Sequence, residues 1–188
     1  HLALQERVRL LRRVAALIEE RLFDLSAAMA LEVGKNRMES LGDVQETADL
    51  IKYTCDQMAA NQGYVFEMGK DPLVGFTATN VSILRPYGVW LVISPFNFPF
   101  ALTGGPCGAA IAAGNTVVIK PATDSAWIVR LLAECFRDAG LPDGVLNFVT
   151  GPGSTLGQAL VTCSVDGVTF TGSFAVGAKI FRDFSSCN

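Results

Sequence analysis

Three kinds of residue in this chain have the chemistry and the setting of a binding or reaction site. Asn97 stands between Pro95 and Pro99 in the stretch SPFNFP, directly after the short apolar run VWLVI (89–93). Lys120 ends a second apolar run, TVVIK, and glycine-rich turns follow two further runs. Prolines restrict the backbone, so Asn97 is a candidate for an amide that is held rigidly where chemistry happens. The alternative is an amide that only satisfies a buried turn.

The two glycine-rich turns are suited to phosphate, but neither is a complete nucleotide motif. TGPGSTLG (150–157) has the spacing GxGxxxG, and the next strand ends in Phe170 without the acidic residue that a ribose needs. FTGSFAVG places Gly172 and Ser173 at a predicted helix N-terminus, where free amides and the helix dipole favour an anion. Because ligands bind at the carboxyl ends of parallel strands, these turns and Lys120 together predict a ligand site at one sheet edge.

The elements that must position these residues alternate between strand and helix from Gly88 onward. The predicted strands are 89–93, 116–120, 145–149 and 168–170, separated by the helix-like stretches 100–114, 125–140 and 153–163. Asp124 and Ser125 are predicted to cap the second of these helices, and Gly140 to end it. The fold class is therefore α/β, with an incomplete doubly wound parallel sheet, a Rossmann-like cofactor domain, over 88–184.

The residues before Gly88 are of two kinds. In 1–62, apolar residues at alternating steps of three and four predict one helix over Leu4–Leu25 and another over Val44–Met58, both packed on the main domain. The segment 63–87 is rich in glycine, threonine and β-branched residues, which predicts short antiparallel strands. We interpret this excursion as an oligomerisation arm outside the main sheet.

Composition excludes several classes of function. A net charge of −3 provides no excess of positive charge for binding nucleic acid. No apolar run reaches the roughly 18 residues that a membrane span requires. The 5 cysteines are odd in number and widely spaced, which indicates free thiols in a reducing, cytoplasmic setting. Since the only histidine is His1, we expect no metal site and no cysteine–histidine pair. Cys107 lies near a predicted helix start, where a lowered pKa is a hypothesis.

Four segments in order resemble the aldehyde dehydrogenase superfamily: RPYGVWLVISPFNFPFAL, AAGNTVVIKPA, AGLPDGVLNFVTGPG and VDGVTFTGSFAVG. The similarity runs from the N-terminal helices to about Phe184 and is greatest to dehydrogenases of acid semialdehydes, including the pyrroline-5-carboxylate type. It implies a homo-oligomer that oxidises a small-molecule aldehyde with NADP or NAD. In that chemistry a thiolate attacks the aldehyde, the tetrahedral oxyanion expels hydride, and water cleaves the thioester.

The resemblance also implies roles for individual residues. Asn97 corresponds to the oxyanion donor, Lys120 to the lysine at the adenosine ribose, and Ser173 to the hydroxyl beside the pyrophosphate, which therefore sits on the second glycine turn. Gly153 and Val176 correspond to the residues at the adenine. The complete set of implied cofactor contacts is Ile93, Ser94, Pro95, Phe96, Lys120, Ala122, Thr123, Gly153, Gly157, Phe170, Thr171, Gly172, Ser173 and Val176.

One position bears on the choice between the two cofactors. Many family members that prefer NAD carry a glutamate at the place of Thr123, where it bonds the ribose hydroxyls. Without that carboxylate we expect NADP to be accepted here. The alternative is that Asp124, the next residue, takes over the ribose.

The family's nucleophilic cysteine and glutamate base have no counterpart in this sequence. We therefore expect the chain to end before the catalytic domain and to be inactive by itself, and we do not interpret Cys187 as the nucleophile. Two other hypotheses are a nucleotide-binding module without catalysis and a structural remnant whose apolar helices mediate assembly.

Overall fold

Three helices precede the first strand. In the computed structural model, which describes residues 2–187, they are α1 (Leu4–Glu20), α2 (Leu22–Val33) and α3 (Arg37–Ala60). The prediction of one helix over Leu4–Leu25 is wrong, because the helix divides at Arg21. The apolar period continues through the division, and the guanidinium Nη2 of Arg21 donates to Asp138 Oδ2 at 2.8 Å, far along the chain.

The connection between α2 and α3 is short and well defined. Gly34 follows α2 with a φ of 72°, the left-handed conformation that favours glycine at a helix end. Asn36 caps α3, since its Oδ1 accepts a hydrogen bond from the Glu39 amide at 3.0 Å. The predicted apolar stripe of α3 is confirmed, for its members are all buried: Val44, Ala48, Ile51, Cys55 and Met58.

A two-stranded ribbon follows α3. Strands β1 (Val65–Glu67) and β2 (Val81–Ile83) pair antiparallel, with Val65 opposite Ile83, which confirms the predicted short antiparallel strands. Both strands are exposed along their length, including their apolar side chains.

The main sheet is parallel throughout. It contains β3 (Val89–Ile93), β4 (Thr116–Lys120), β5 (Leu146–Phe148) and β6 (Gly167–Phe170) in the order β5-β4-β3-β6. The predicted bounds of β3 and β4 are confirmed, whereas β5 is shorter than predicted and β6 begins one residue earlier. The chain adds β4 and β5 on one side of β3 and then crosses to its other side for β6, which is the reversal of a doubly wound fold.

Helices cover both faces of this sheet. On one face, α4 (Ala101–Ala112) and α5 (Ala126–Asp138) form a single core with α1, α2 and α3. On the other, α6 (Gln158–Thr162) and α7 (Phe174–Cys187) pack around Leu91 in a smaller cluster. The predicted α/β class is therefore confirmed. Within residues 2–187, no helix is both long and apolar enough to cross a membrane.

Helix α5 is capped from a distance. The prediction that Asp124 and Ser125 cap it is wrong, because both lie in a short 3₁₀ turn and neither makes a side-chain cap. Instead, the carboxylate of Glu32 in α2 accepts hydrogen bonds from the amides of Trp127 and Ile128, each at 2.7 Å. The predicted end at Gly140 is confirmed by its φ of 88° just after the helix.

Glycines let α3 and α4 approach closely. A Cβ built on Gly104 would lie 2.3 Å from Cγ2 of Thr47, and one built on Gly108 would lie 2.9 Å from Cγ1 of Ile51. Thr47 is fully buried, and its hydroxyl donates to the Asp43 carbonyl at 2.8 Å. Its side chain therefore cannot turn away without losing a hydrogen bond.

We predict that Gly104→Ala lowers the free energy of unfolding by about 1–3 kcal/mol, the usual cost of overpacking a core. The matched control is Gly42→Ala in α3, where an added Cβ meets nothing within 4 Å. This control should leave stability unchanged or raise it by up to about 1 kcal/mol, because alanine favours the helix. Urea denaturation measures both, and equal stability of the two variants would contradict this account of the packing.

Candidate active site

The carboxyl ends of three strands meet at one edge of the sheet. Ile93 at the end of β3 pairs in register with Lys120 at the end of β4 and with Phe170 at the end of β6. The backbone continues this alignment, since the Ser94 amide donates to the Lys120 carbonyl at 3.3 Å and the Thr171 amide to the Ile93 carbonyl at 3.1 Å. The loops that leave these strands therefore begin side by side.

A cavity of about 490 Å³ lies at this edge. Five of the residues predicted for the site line it, namely Ile93, Lys120, Gly153, Gly157 and Val176. Its remaining lining was not predicted: Ser154, Gln158, Val161, Lys179, Ile180 and Asp183. The structure thus joins the strand-end lysine, the first glycine turn and α7 in a single cavity.

Lys120 is the principal cation of this cavity. Its side chain is almost fully buried, with 4% of the residue exposed, and its Nζ donates to the Pro121 carbonyl at 2.8 Å. No carboxylate pairs with it in the part of the chain that the structure describes, and burial lowers its pKa. Gly157 packs beside it, since a Cβ built there would contact Lys120 Cε at 3.5 Å. An ammonium has three donors, so two of them remain for a ligand.

The far wall of the cavity carries a polar triad of Gln158, Lys179 and Asp183. The Gln158 amide donates to Asp183 Oδ2 at 2.9 Å, and the Lys179 ammonium donates to both other members. These bonds, that from Lys179 first, hold the pKa of Asp183 below its ordinary value. The charges of Lys179 and Asp183 therefore compensate each other, whereas the charge of Lys120 has no partner of opposite sign among the described residues. The spacing of Lys179 and Asp183 on one helix was a signal for the ion pair, but nothing in the sequence pointed to Gln158.

The second glycine turn lies at the start of α7. The Ser173 hydroxyl accepts a hydrogen bond from the Val176 amide at 3.4 Å, while the amides of Phe174 and Ala175 have no acceptor within residues 2–187. Gly172 is required by a close approach, because a Cβ there would lie 2.5 Å from the ring of Phe170. A neighbouring cavity of about 550 Å³ has the predicted residues Phe170, Thr171, Gly172 and Ser173 in its lining.

The turn that carries Asn97 projects from the end of β3. Asn97 is exposed, and its side chain has no hydrogen bond within the described residues, so the amide does not satisfy a buried turn. Pro99 and Phe100 behind it are buried, and the Thr103 hydroxyl donates to the Pro99 carbonyl. The backbone is therefore anchored while the amide stays available.

Neither of these two cavities is lined by Asn97 or by the predicted residues Ser94, Pro95, Phe96 and Ala122. Thr123, also absent from both linings, is exposed three residues after Lys120, and Asp124 is exposed beside it. Ser94 is buried, and its hydroxyl has no hydrogen-bond partner in the described chain.

The thiols offer no nucleophile at this edge. The hypothesis of a lowered pKa for Cys107 is wrong, because Cys107 lies fully buried inside α4 and burial raises its pKa. Burial likewise raises the pKa of Cys55 and Cys135, whereas Cys163 and Cys187 are exposed. Among residues 2–187, no group of three or more side chains is arranged to hold a metal ion.

Comparisons with known proteins agree with this architecture. The sequence profile of the aldehyde dehydrogenase family matches residues 1–187. The 1-pyrroline-5-carboxylate dehydrogenase of Staphylococcus saprophyticus is 40% identical over 179 residues, which cover 95% of this chain and 34% of that protein. The alpha-ketoglutaric semialdehyde dehydrogenase of Bacillus subtilis is 40% identical over 176 residues, which cover 93% of this chain and 35% of that protein.

Solved structures are similar as well. The NADP-dependent glyceraldehyde-3-phosphate dehydrogenase of Bacillus halodurans, crystallised with NADP, superposes with a TM-score of 0.89 at 36% identity. That alignment covers 97% of this chain and 38% of the other. This chain therefore belongs to the aldehyde dehydrogenase family, as the sequence motifs predict. It spans about a third of the length of the relatives it matches.

The uncompensated charge of Lys120 predicts a gain in stability when it is removed. Burial lowers the pKa of Lys120 from its ordinary value of 10.5, so the unfolded chain holds this proton more tightly than the folded chain. The unfolding free energy should therefore rise with pH between the lowered pKa and 10.5. We predict that Lys120→Met stabilises the fold at neutral pH by about 0.5–2 kcal/mol and abolishes this part of the pH dependence.

Urea denaturation at neutral and alkaline pH measures both effects. Lys179→Met is the matched control, because the Lys179 ammonium is already paired with Asp183 and its removal offers no such gain. A loss of stability in Lys120→Met at neutral pH, where the lysine carries its charge, would show that the ammonium is compensated.

Proposed function

We propose that this chain forms the dinucleotide-binding edge and the oxyanion-binding turn of an NAD(P)-dependent aldehyde dehydrogenase. The observation that carries the proposal is the single cavity that unites Ile93, Lys120, Gly153, Gly157 and Val176 from separate segments. It lies at the carboxyl edge of a doubly wound sheet, which is where such folds bind cofactors.

The residues at this edge fit an adenine dinucleotide. Lys120 has free donors for the adenosine ribose, and Val176 presents an apolar, half-exposed side chain for the adenine. Unpaired amides at the start of α7, beside Ser173, suit the pyrophosphate because the helix dipole favours negative charge there. A nicotinamide dinucleotide held by these residues would supply the hydride acceptor that the oxidation of an aldehyde requires.

Asn97 is the residue of this chain that acts on the reacting aldehyde. Its exposed amide donates to the oxygen on which negative charge develops, and its anchored turn keeps it oriented before the reaction begins. Donors that need no reorganisation at the moment of reaction are the most effective electrostatic catalysts. Phe96 and Pro95 on the same turn border the cofactor in this arrangement.

The substrate class follows from the relatives. Similar proteins are named for pyrroline-5-carboxylate and for alpha-ketoglutaric semialdehyde, so we propose that an acid semialdehyde is oxidised to a carboxylate through a thioester. The 188-residue chain by itself should not perform this oxidation, because its cavity lining includes no cysteine among the described residues.

Assembly and location complete the proposal. The ribbon of β1 and β2 exposes Val65, Phe66, Val81 and Ile83, and a two-stranded ribbon is marginal alone in water. We propose that it packs against another subunit in a cytoplasmic homo-oligomer.

A second candidate is a nucleotide-binding module without catalysis. The observation that favours it is that the cavity beside Lys120 is formed by residues of this chain, whereas no cysteine is among its lining residues. NADP binding by a protein that, at its full length, never reduces the nicotinamide would select this candidate over the dehydrogenase.

In an enzyme that carries this segment at the length of its relatives, Asn97→Ala should lower turnover by about two to three orders of magnitude, the usual effect of losing one oxyanion donor. Cofactor affinity should stay unchanged, because the amide acts only on the developing oxyanion. The control is Asn147→Ala on β5, which removes an exposed side-chain amide that donates to the Gly144 carbonyl. If Asn97→Ala keeps full turnover and loses thermal stability instead, the amide has a structural role.

A second prediction concerns cofactor choice at Thr123, which is exposed near the end of β4. A glutamate there would repel the 2′-phosphate of NADP by about 1 kcal/mol in water and about 4 kcal/mol at a protein surface, for unit charges about 4 Å apart. We therefore predict that the enzyme accepts NADP and that Thr123→Glu weakens NADP relative to NAD by about one to three decades.

Calorimetric titration with each cofactor measures this change. Thr123→Gln is the matched control, since it has the size of glutamate without its charge and should keep NADP binding. A strong preference for NAD that neither substitution alters would contradict the prediction and would favour Asp124 as the ribose ligand.

A further inference from the structure

A buried carboxylate connects α3 to the start of α4. Asp43, whose side chain is fully buried, accepts a hydrogen bond from the Ala101 amide at 2.7 Å through Oδ1. Its Oδ2 accepts from the Lys35 ammonium at 2.8 Å. Because Ala101 is the first residue of α4, Asp43 provides the N-terminal cap that the turn before α4 lacks, from 58 positions away.

The same lysine reaches the turn itself. The Nζ of Lys35 lies 3.6 Å from the centroid of the Phe98 ring, the geometry of a cation–π contact. Its side chain is only 10% exposed, so water competes little for the ammonium. Phe98 is the immediate neighbour of Asn97. The ion pair therefore contacts the chain at two points on the C-terminal side of Asn97, Phe98 and Ala101.

Lys35 is well placed to act as a fixed support. It is the middle residue of the short connection between α2 and α3, flanked by the left-handed Gly34 and by the helix cap Asn36. The end of α2 at Gly34 and the cap of α3 at Asn36 therefore fix the backbone conformation on both sides of Lys35. Its long side chain is then held at its far end by Asp43 and the Phe98 ring.

Asn97, in contrast, has no support of its own. Its side chain makes no hydrogen bond in the described part of the chain, so the direction of its amide depends on the backbone on either side. We infer that Lys35 and Asp43 are positioning residues that orient the Asn97 amide toward the oxyanion. The inference rests on the proposed role of Asn97, and it adds two residues from a part of the chain remote in sequence.

Stability alone is a poor explanation for this ion pair. Apolar residues of similar volume often replace a buried pair without loss, because removing two charges from water is costly. What an apolar pair cannot do is accept the Ala101 hydrogen bond and hold a cation over the Phe98 ring at the same time. A displacement of about 1 Å at a reacting group is enough to cost about a hundredfold in rate.

The test uses the full-length enzyme that carries this segment. Lys35→Met keeps the length of the side chain and removes the cation. We expect kcat to fall by about ten- to a hundredfold while NADP affinity is unchanged. In an Asn97→Ala background the same substitution should cause no further fall, because the interaction it supports is already lost. Lys52→Met is the control, since Lys52 forms a partly exposed pair with Glu19 and should keep full kcat.

A second variant separates positioning from folding. Lys35→Met leaves the Asp43 charge buried, which can destabilise the protein, so Lys35→Met/Asp43→Asn removes both charges together. The asparagine oxygen still accepts from the Ala101 amide, so α4 keeps its cap. We expect this double variant to unfold at a denaturant concentration near that of the parent and to show the same loss of kcat.

Each outcome bears on one of the two claims. If Asn97→Ala lowers kcat but Lys35→Met and the double variant keep it, the inference is overturned and the oxyanion role stands. If Lys35→Met lowers kcat equally with and without Asn97, the lysine acts independently and the inference is again overturned. If Asn97→Ala itself leaves kcat unchanged, the proposed function fails, whatever the Lys35 variants do.

Discussion

The register of the neighbouring strands β4, β3 and β6 is the constraint on which the rest of this molecule depends. Because Ile93 pairs with both Lys120 and Phe170, the loops after β3, β4 and β6 start from one line. A slip by one residue would turn every strand side chain to the opposite face and would take Lys120 out of the cavity. The position of the cavity at the carboxyl edge of the sheet is thus a consequence of strand pairing. The first glycine turn then forms part of its lining.

The N-terminal helices hold the site in place as well as covering the sheet. The helices that follow β3 and β4 receive N-terminal caps from these N-terminal helices: Asp43 in α3 caps α4, and Glu32 in α2 caps α5. The first amides of a helix have no partner within the helix, so these two carboxylates stabilise the start of each helix, and the Ala101 amide is buried with its cap. Asp43, through the start of α4, also anchors the C-terminal side of the turn that carries Asn97.

What the sequence could predict was local. The apolar runs of β3 and β4 and the stripe of α3 follow from short periods, and the family motifs located the turns. The Arg21–Asp138 contact, the cap from Glu32 and the Asp43 cap of α4 join residues far apart in the chain, for which no local pattern exists. The same reason explains why Gln158 was missed at the cavity although Gly157, beside it, was predicted.

The most direct test of the central claim is a titration of the isotope-labelled chain with NADP, followed through its backbone amide signals. If one edge of the sheet is the dinucleotide site, the signals of 120–123, 153–158 and 172–176 should shift together. Those of the groove at the opposite edge, which Arg7, Asn115 and Thr116 line, should stay in place. Shifts confined to that opposite groove, or no shift at saturating NADP in a chain that shows dispersed, folded signals, would contradict the account.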